Sequence, residues 1–193
     1  MVAVLSFMAC GEDEPTPVVQ PSPTPMESAT SGPAPVSAET YVSSLCTSMQ
    51  AWITGLQEGQ AQVEASVEPG NAESGKQALA VFFDGAVTGT DTLITSVEGI
   101  GVPDVEGGDE IAATLVTRFS EAKTALENAR SQVDTLPTDD PAAFKTATDE
   151  LGATIQTQLQ AIGTALSALS QADLDAAANA DPTCQALGAT TGG

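Results

Sequence analysis

"IAATLVTRFSEAKTALENARSQVDTL", residues 111 to 136, places Ile111, Leu115, Phe119, Ala122, Leu126, Ala129, Val133 and Leu136 at steps of three or four. Successive residues of an α-helix turn by about 100°, so such steps stack the side chains into one apolar stripe, whereas a half-buried strand needs strict alternation. The stretch reads as a helix with one face to bury, with Arg118, Lys123 and Arg130 interleaved along it.

A helix with one apolar stripe needs partners, and the same period appears on both sides. Upstream, Val42, Leu45, Met49, Trp52, Ile53, Leu56, Val63 and Val67 form one stripe, with Ser37 as N-cap and Glu39 in the first turn. "EPGN" at 68 to 71 stops that segment. A second begins near Asn71 or Ser74, where Ser74 and Gln77 match a capping box, and runs through Leu79, Phe82, Phe83, Ala86, Val87, Leu93, Ile94 and Val97. Gly85 and Gly89 weaken it, and "GIGVPDVEGG" at 99 to 108 ends it.

Downstream, "PTDDP" at 137 to 141 makes a turn and a helix start, with Asp140 as N-cap and Pro141 in the first helical position. The fourth segment carries Phe144, Leu151, Ile155, Leu159, Ile162, Leu166 and Leu169. Residues 151 to 172 hold no charge, yet four glutamines with several Thr and Ser disfavour membrane insertion and favour a buried or self-associating helix. Four segments of this length joined by short turns predict an all-α fold, an antiparallel four-helix up-down bundle about 40 Å long. The bundle domain is assigned to 38–187 and a flexible tail to 188–193.

Composition narrows the function. The chain has 193 residues, 26 acidic against five basic, no histidine and a net charge of −21. Lys76, Arg118, Lys123, Arg130 and Lys145 are too few and too scattered for the cationic footprint that nucleic acid requires. Dispersed negative charge of this kind keeps a protein soluble more often than it recognises anything.

The N-terminal end has a different character. "MVAVLSFMA", residues 1 to 9, is apolar, uncharged and too short to span a bilayer, which takes about 20 residues. It has the character of the end of a signal-peptide apolar region and runs into Cys10. Between 11 and 37 come Pro15, Pro17, Pro21, Pro23, Pro25, Pro33 and Pro35 among Ser, Thr and Glu, a composition that forms neither ladder nor helix and lacks the apolar mass to collapse. It reads as a disordered tether that reaches roughly 80 Å when fully stretched at ~3.1 Å per residue.

The apolar run, Ala9 and Cys10 together resemble the lipobox of bacterial lipoproteins. The resemblance implies a diacylglyceryl thioether on Cys10, removal of residues 1–9 as a signal remnant, and residues 10–37 as lipidated cysteine plus linker. Membrane attachment through that lipid, on the extracytoplasmic face of the cell membrane, follows as an expectation. The bland alternative is an ordinary disordered N-terminus with an unmodified cysteine.

The other two cysteines test the topology. Cys46 lies early in the first helix and Cys184 follows the fourth, so an up-down bundle brings both to one end across 138 positions, and exported proteins favour such pairs. A Cys46–Cys184 disulfide is expected; otherwise Cys46 is a small core residue and Cys184 a tail thiol. The segment "YVSSLCTSMQAWITGLQ" with a further cysteine near the end is similar to helical lipoproteins of actinobacteria and their relatives, a resemblance that implies no particular activity.

Other candidate sites give way to structural readings. Without histidine, catalysis is left to carboxylates, lysine or Tyr41, and the acidic pairs Asp109–Glu110, Asp139–Asp140 and Asp149–Glu150 mostly suit helix starts. Asp104, Glu106, Asp109 and Glu110 cluster in a Gly-containing loop, but their spacing misses the calcium-loop pattern. Neither a zinc ligand set nor another cofactor motif is present, and Trp52 reads as core rather than as a stacking platform. The expectation is a non-enzymatic, membrane-anchored extracytoplasmic lipoprotein that binds or scaffolds a protein or ligand. The alternative is a secreted acidic helical protein that takes a cationic or hydrophobic ligand.

Overall fold

The computed structural model describes the backbone of residues 35–167 and 171–191, and their side chains save 158, 159, 161–167 and 189–191. Cys10, the tether up to residue 34 and Leu169 lie outside the described residues, as do the side chains of Leu159, Ile162 and Leu166. The fold is all-α apart from one pair of two-residue strands. In order come β1 (Pro35–Val36), α1 (Ala38–Ser66), α2 (Ala72–Ile100), β2 (Val102–Pro103), α3 (Gly108–Val133), α4 (Pro141–Ser167), α5 (Ala172–Ala180) and α6 (Pro182–Thr191).

Helix starts follow local side-chain chemistry. The Ser37 hydroxyl accepts from the Thr40 N–H at 3.3 Å, and Asp140 accepts from the N–H groups of Ala142 and Ala143 at 2.9 and 3.4 Å. Each satisfies donors that the first turn leaves without intrahelical partners. At the head of α2 the cap is Asn71, whose side chain accepts from the Ser74 N–H, and Gln77 bonds back to Glu73 instead of closing a box. Ser74 donates to the Asn71 carbonyl and accepts from the Glu68 N–H, so its hydroxyl is already engaged. Asp181 repeats the Asp140 arrangement at the head of α6, accepting from Thr183 and Cys184.

α1 packs against α2, α2 against α3, and α3 against α4, while α5 and α6 pack against α1. α5 and α6, the two short helices that pack on α1, are absent from the sequence reading. All eight residues of the α3 stripe are buried, from Ile111 to Leu136, the first three against α1, α2 and α5 and the rest chiefly against α2 and α4. The core has two parts. One joins Phe83, Ala86, Leu126, Ala129, Val133 and Leu151 at the turn between α3 and α4. The other gathers Tyr41, Leu93, Val97, Ile111, Leu115 and Phe119 at the opposite pole, with Leu174 of α5 against it.

That second pole is where the chain enters. β1 pairs in parallel with β2, and the Asp104 N–H donates to the Val36 carbonyl at 2.7 Å. Residues 35 and 36, assigned to the free tether from composition, are therefore held; Val36 packs beside the Tyr41 cluster, and Pro35 begins the edge strand, where its missing donor does no harm. The loop after β2 depends on two glycines. Gly107 has φ +72, and a Cβ on Gly108 would lie 2.1 Å from the Pro103 carbonyl oxygen. Gln171 closes the same pole by donating its amide to the Glu106 carbonyl at 3.0 Å.

Candidate functional site

Three features of the described fold bear on function: the cysteine pair, the acidic residues and a cleft between α1 and α2. Cys46 and Cys184 are joined by a disulfide with Cα atoms 5.2 Å apart, so α6 is bound covalently to the first third of α1. Cys184 stands within a helix, not in a tail. The Asp181 carboxyl, three residues before it, is held below the usual range mainly by the Cys184 N–H and next by the Ser43 hydroxyl of α1. Cap and cross-link thus lock the same junction.

The acidic residues do not converge. Asp109 and Glu110 occupy the first turn of α3, where carboxylates oppose the helix dipole, and Asp149 pairs with Lys145 one turn away. Among the described residues, no group of three or more Cys, Asp or Glu side chains is placed to hold a metal ion. None of the helices among them is long and apolar enough to cross a membrane. Tyr41 is buried to 1% exposure with its hydroxyl unpartnered, and burial pushes its pKa up.

All five bases are engaged. Lys123 bonds Asp91, Arg130 bridges Asp84 and Asp134, and Lys76 donates to the Asp134 carbonyl, so these three stitch α2 to α3. Arg118 and Lys145 pair within their own helices. The outward field is therefore set by the remaining carboxylates.

The third place was not foreseen. Between α1 and α2 lies an open cleft of about 450 Å³. Its floor is Trp52, Leu56, Phe82 and Leu93, and its walls are lowered by Gly55, Gly59, Gly85 and Gly89. Trp52 is half-buried and oriented by its indole N–H, which donates to the Thr90 hydroxyl at 3.0 Å; Thr90, wholly buried, donates in turn to the Ala86 carbonyl. Packing and lining are therefore both properties of this tryptophan. Phe82 and Phe83 meet edge to face at 5.1 Å, the first turned to the cleft and the second to the core.

Of the four glycines, Gly59 alone has a close neighbour that a side chain would crowd. A Cβ on Gly59 would lie 3.0 Å from the Phe82 ring, and one on Gly89 would touch Trp52 at 3.7 Å. Around Gly55 and Gly85 a Cβ would meet nothing within 4 Å. The available signal was the spacing itself, Gly55 with Gly59 and Gly85 with Gly89, four apart on two neighbouring helices. Compared with protein-family models, curated proteins and solved structures, the chain matches none.

Proposed function

We propose that this chain is a lipid-anchored, extracytoplasmic helical module whose work is binding or scaffolding, not catalysis. The observation that carries the reading is the Cys46–Cys184 disulfide, because such bonds persist in oxidising compartments outside the cytoplasm. With two sulfurs paired, Cys10 remains as the odd one, directly after the apolar run that resembles a lipobox. In this reading Cys10 takes the lipid, residues 11 to 34 form the spacer, and the long helices α1 to α4 act as an antiparallel up-down bundle clasped by α5 and α6. A single acyl chain anchors weakly and two or more hold firmly, at about 0.8 kcal/mol per buried methylene. Metabolic labelling with a palmitate analogue should mark the native chain and leave Cys10→Ala unmarked; a native chain that stays unmarked removes the anchor.

The acidic exterior favours a second reading, a secreted and unlipidated protein that captures a cationic partner. Since four of the five bases pair with carboxylates and Lys76 is spent on backbone carbonyls, that attraction would be mostly one-signed and salt-sensitive. Retention of a basic protein that vanishes at high ionic strength, with no lipid on Cys10, would support it over the first.

A further inference from the structure

We propose that the α1–α2 cleft binds an uncharged, mainly apolar small molecule that carries O–H or N–H donors, an inference that gives the binding role above its ligand class. The volume, about 450 Å³, falls within the ~300–1,000 Å³ of small-molecule sites. The surface is arranged for contact as well as space: Trp52 and Phe82 supply broad apolar faces, and Val81 stands 64% exposed at the edge.

Charge selects against ions. The chain carries −21, yet not one Asp, Glu, Lys or Arg lines the cleft. An anion would meet an opposing field with no cation to receive it, and a cation would leave its hydration shell for a site without a carboxylate. A neutral body avoids both penalties.

Gln62 lines the cleft with an amide that both donates and accepts, but at the hydroxyl end hydrogen bonding selects for donors. Thr47, Ser48, Thr92 and Ser96 line the end of the cleft nearest the disulfide pole. Each hydroxyl donates to the carbonyl four residues back, on Ser43, Ser44, Thr88 and Thr92. Their protons are spent, so what they offer a ligand is oxygen lone pairs.

The unfilled glycines add an independent argument. Glycine inside a helix is unfavourable relative to alanine, and at Gly55 and Gly85 no neighbour in the fold requires its small size. A body lying against the two backbones would require it.

The only tryptophan of the chain is the reporter. Titrating the purified full-length protein with 1-aminoanthracene, which is neutral and accepts energy from indole, should quench Trp52 emission saturably at one site per chain. Gly85→Leu and, separately, Gly55→Leu point a side chain into open space, so both should keep the native far-UV circular dichroism and melting profile while weakening the dye by about tenfold or more. The anionic dye 8-anilinonaphthalene-1-sulfonate should bind more weakly than the neutral one. A native chain that gives no saturable quenching overturns the proposal. So does quenching that both folded leucine variants leave unchanged, which would mark surface adsorption, or a preference for the anion. Labelling of Cys10 is read on a different part of the chain, so loss of the anchor and loss of the cleft are told apart.

Discussion

α2 has two neighbours and treats them in opposite ways. Towards α3 it presents Phe83 and Val97, with Ala86 and Leu93 shared between that seam and the cleft, against an unbroken stripe, and three cations close the seam at its edges. Towards α1 it presents Gly85, Gly89 and short hydroxyl side chains, and the space between stays open. The same backbone supports both, so the open side reflects residue choice and not a defect of helix geometry. A seam filled to native density resists deletion, whereas one left hollow tolerates addition.

The largest expected effect comes from the part of α1 that its hollow seam leaves dependent on other supports. Replacing Cys46 and Cys184 together by serine should lower stability by up to about 5 kcal/mol, the chain-entropy value for so long a loop. Urea denaturation of the variant against the native protein measures it, and a loss below ~1 kcal/mol would show that α1 is held without the clasp. Next, Leu126→Ala in the filled seam should remove about 3 kcal/mol, since its surroundings on α2, α3 and α4 cannot collapse into the space. In the hollow seam the sign reverses: Gly55→Ala and Gly85→Ala should each stabilise by about 0.5–1 kcal/mol, read as a raised denaturation midpoint. Destabilisation by either would mean that the cleft is tighter than its geometry indicates.

The smallest effect is a pH dependence at the clasp. The Asp181 carboxyl has a lower pKa folded than unfolded, so its contribution is complete above the ordinary aspartate value and is lost as pH falls through the folded value. Melting of the native protein should therefore decline below about pH 4 more steeply than that of Asp181→Asn, where the charge is gone at every pH. Parallel curves would detach Asp181 from the stability of α6.

Much of the helical part was legible, for reasons that vary along the chain. The α3 stripe is complete because α2 covers it along both core clusters, with α4 added over Leu126 to Leu136 and α1 and α5 over Ile111 to Phe119, so periodicity and burial coincide. Ser37 was readable as a cap from its place before an apolar run, and Asp140 from the proline that follows it in the first helical position. At the head of α2, Asn71 and Ser74 compete, and the asparagine prevails with its side chain on the Ser74 N–H while the serine is drawn to Glu68. The pairing of Cys46 with Cys184 was legible from topology, whereas α5 and α6 were not, although Asp181–Pro182 repeats the Asp140–Pro141 start. Tyr41 and Thr90 escaped because polar atoms hide burial in a hydrophobic count, yet they are 1% and 0% exposed. The cleft was the least legible feature, since glycine contributes no side chain to any stripe and registered only as a weak point in a helix.

The parallel pairing of Pro35–Val36 with Val102–Pro103 has a mechanical consequence. Tension arriving from the N-terminal side meets backbone hydrogen bonds at one pole before it reaches any helix, and the disulfide fastens the C-terminal helix within the same region. Both ends of the described fold are thus moored together, like a boat tied by bow and stern to a single post, and the distal turns at Gly70 and Pro137 lie off the path of the load.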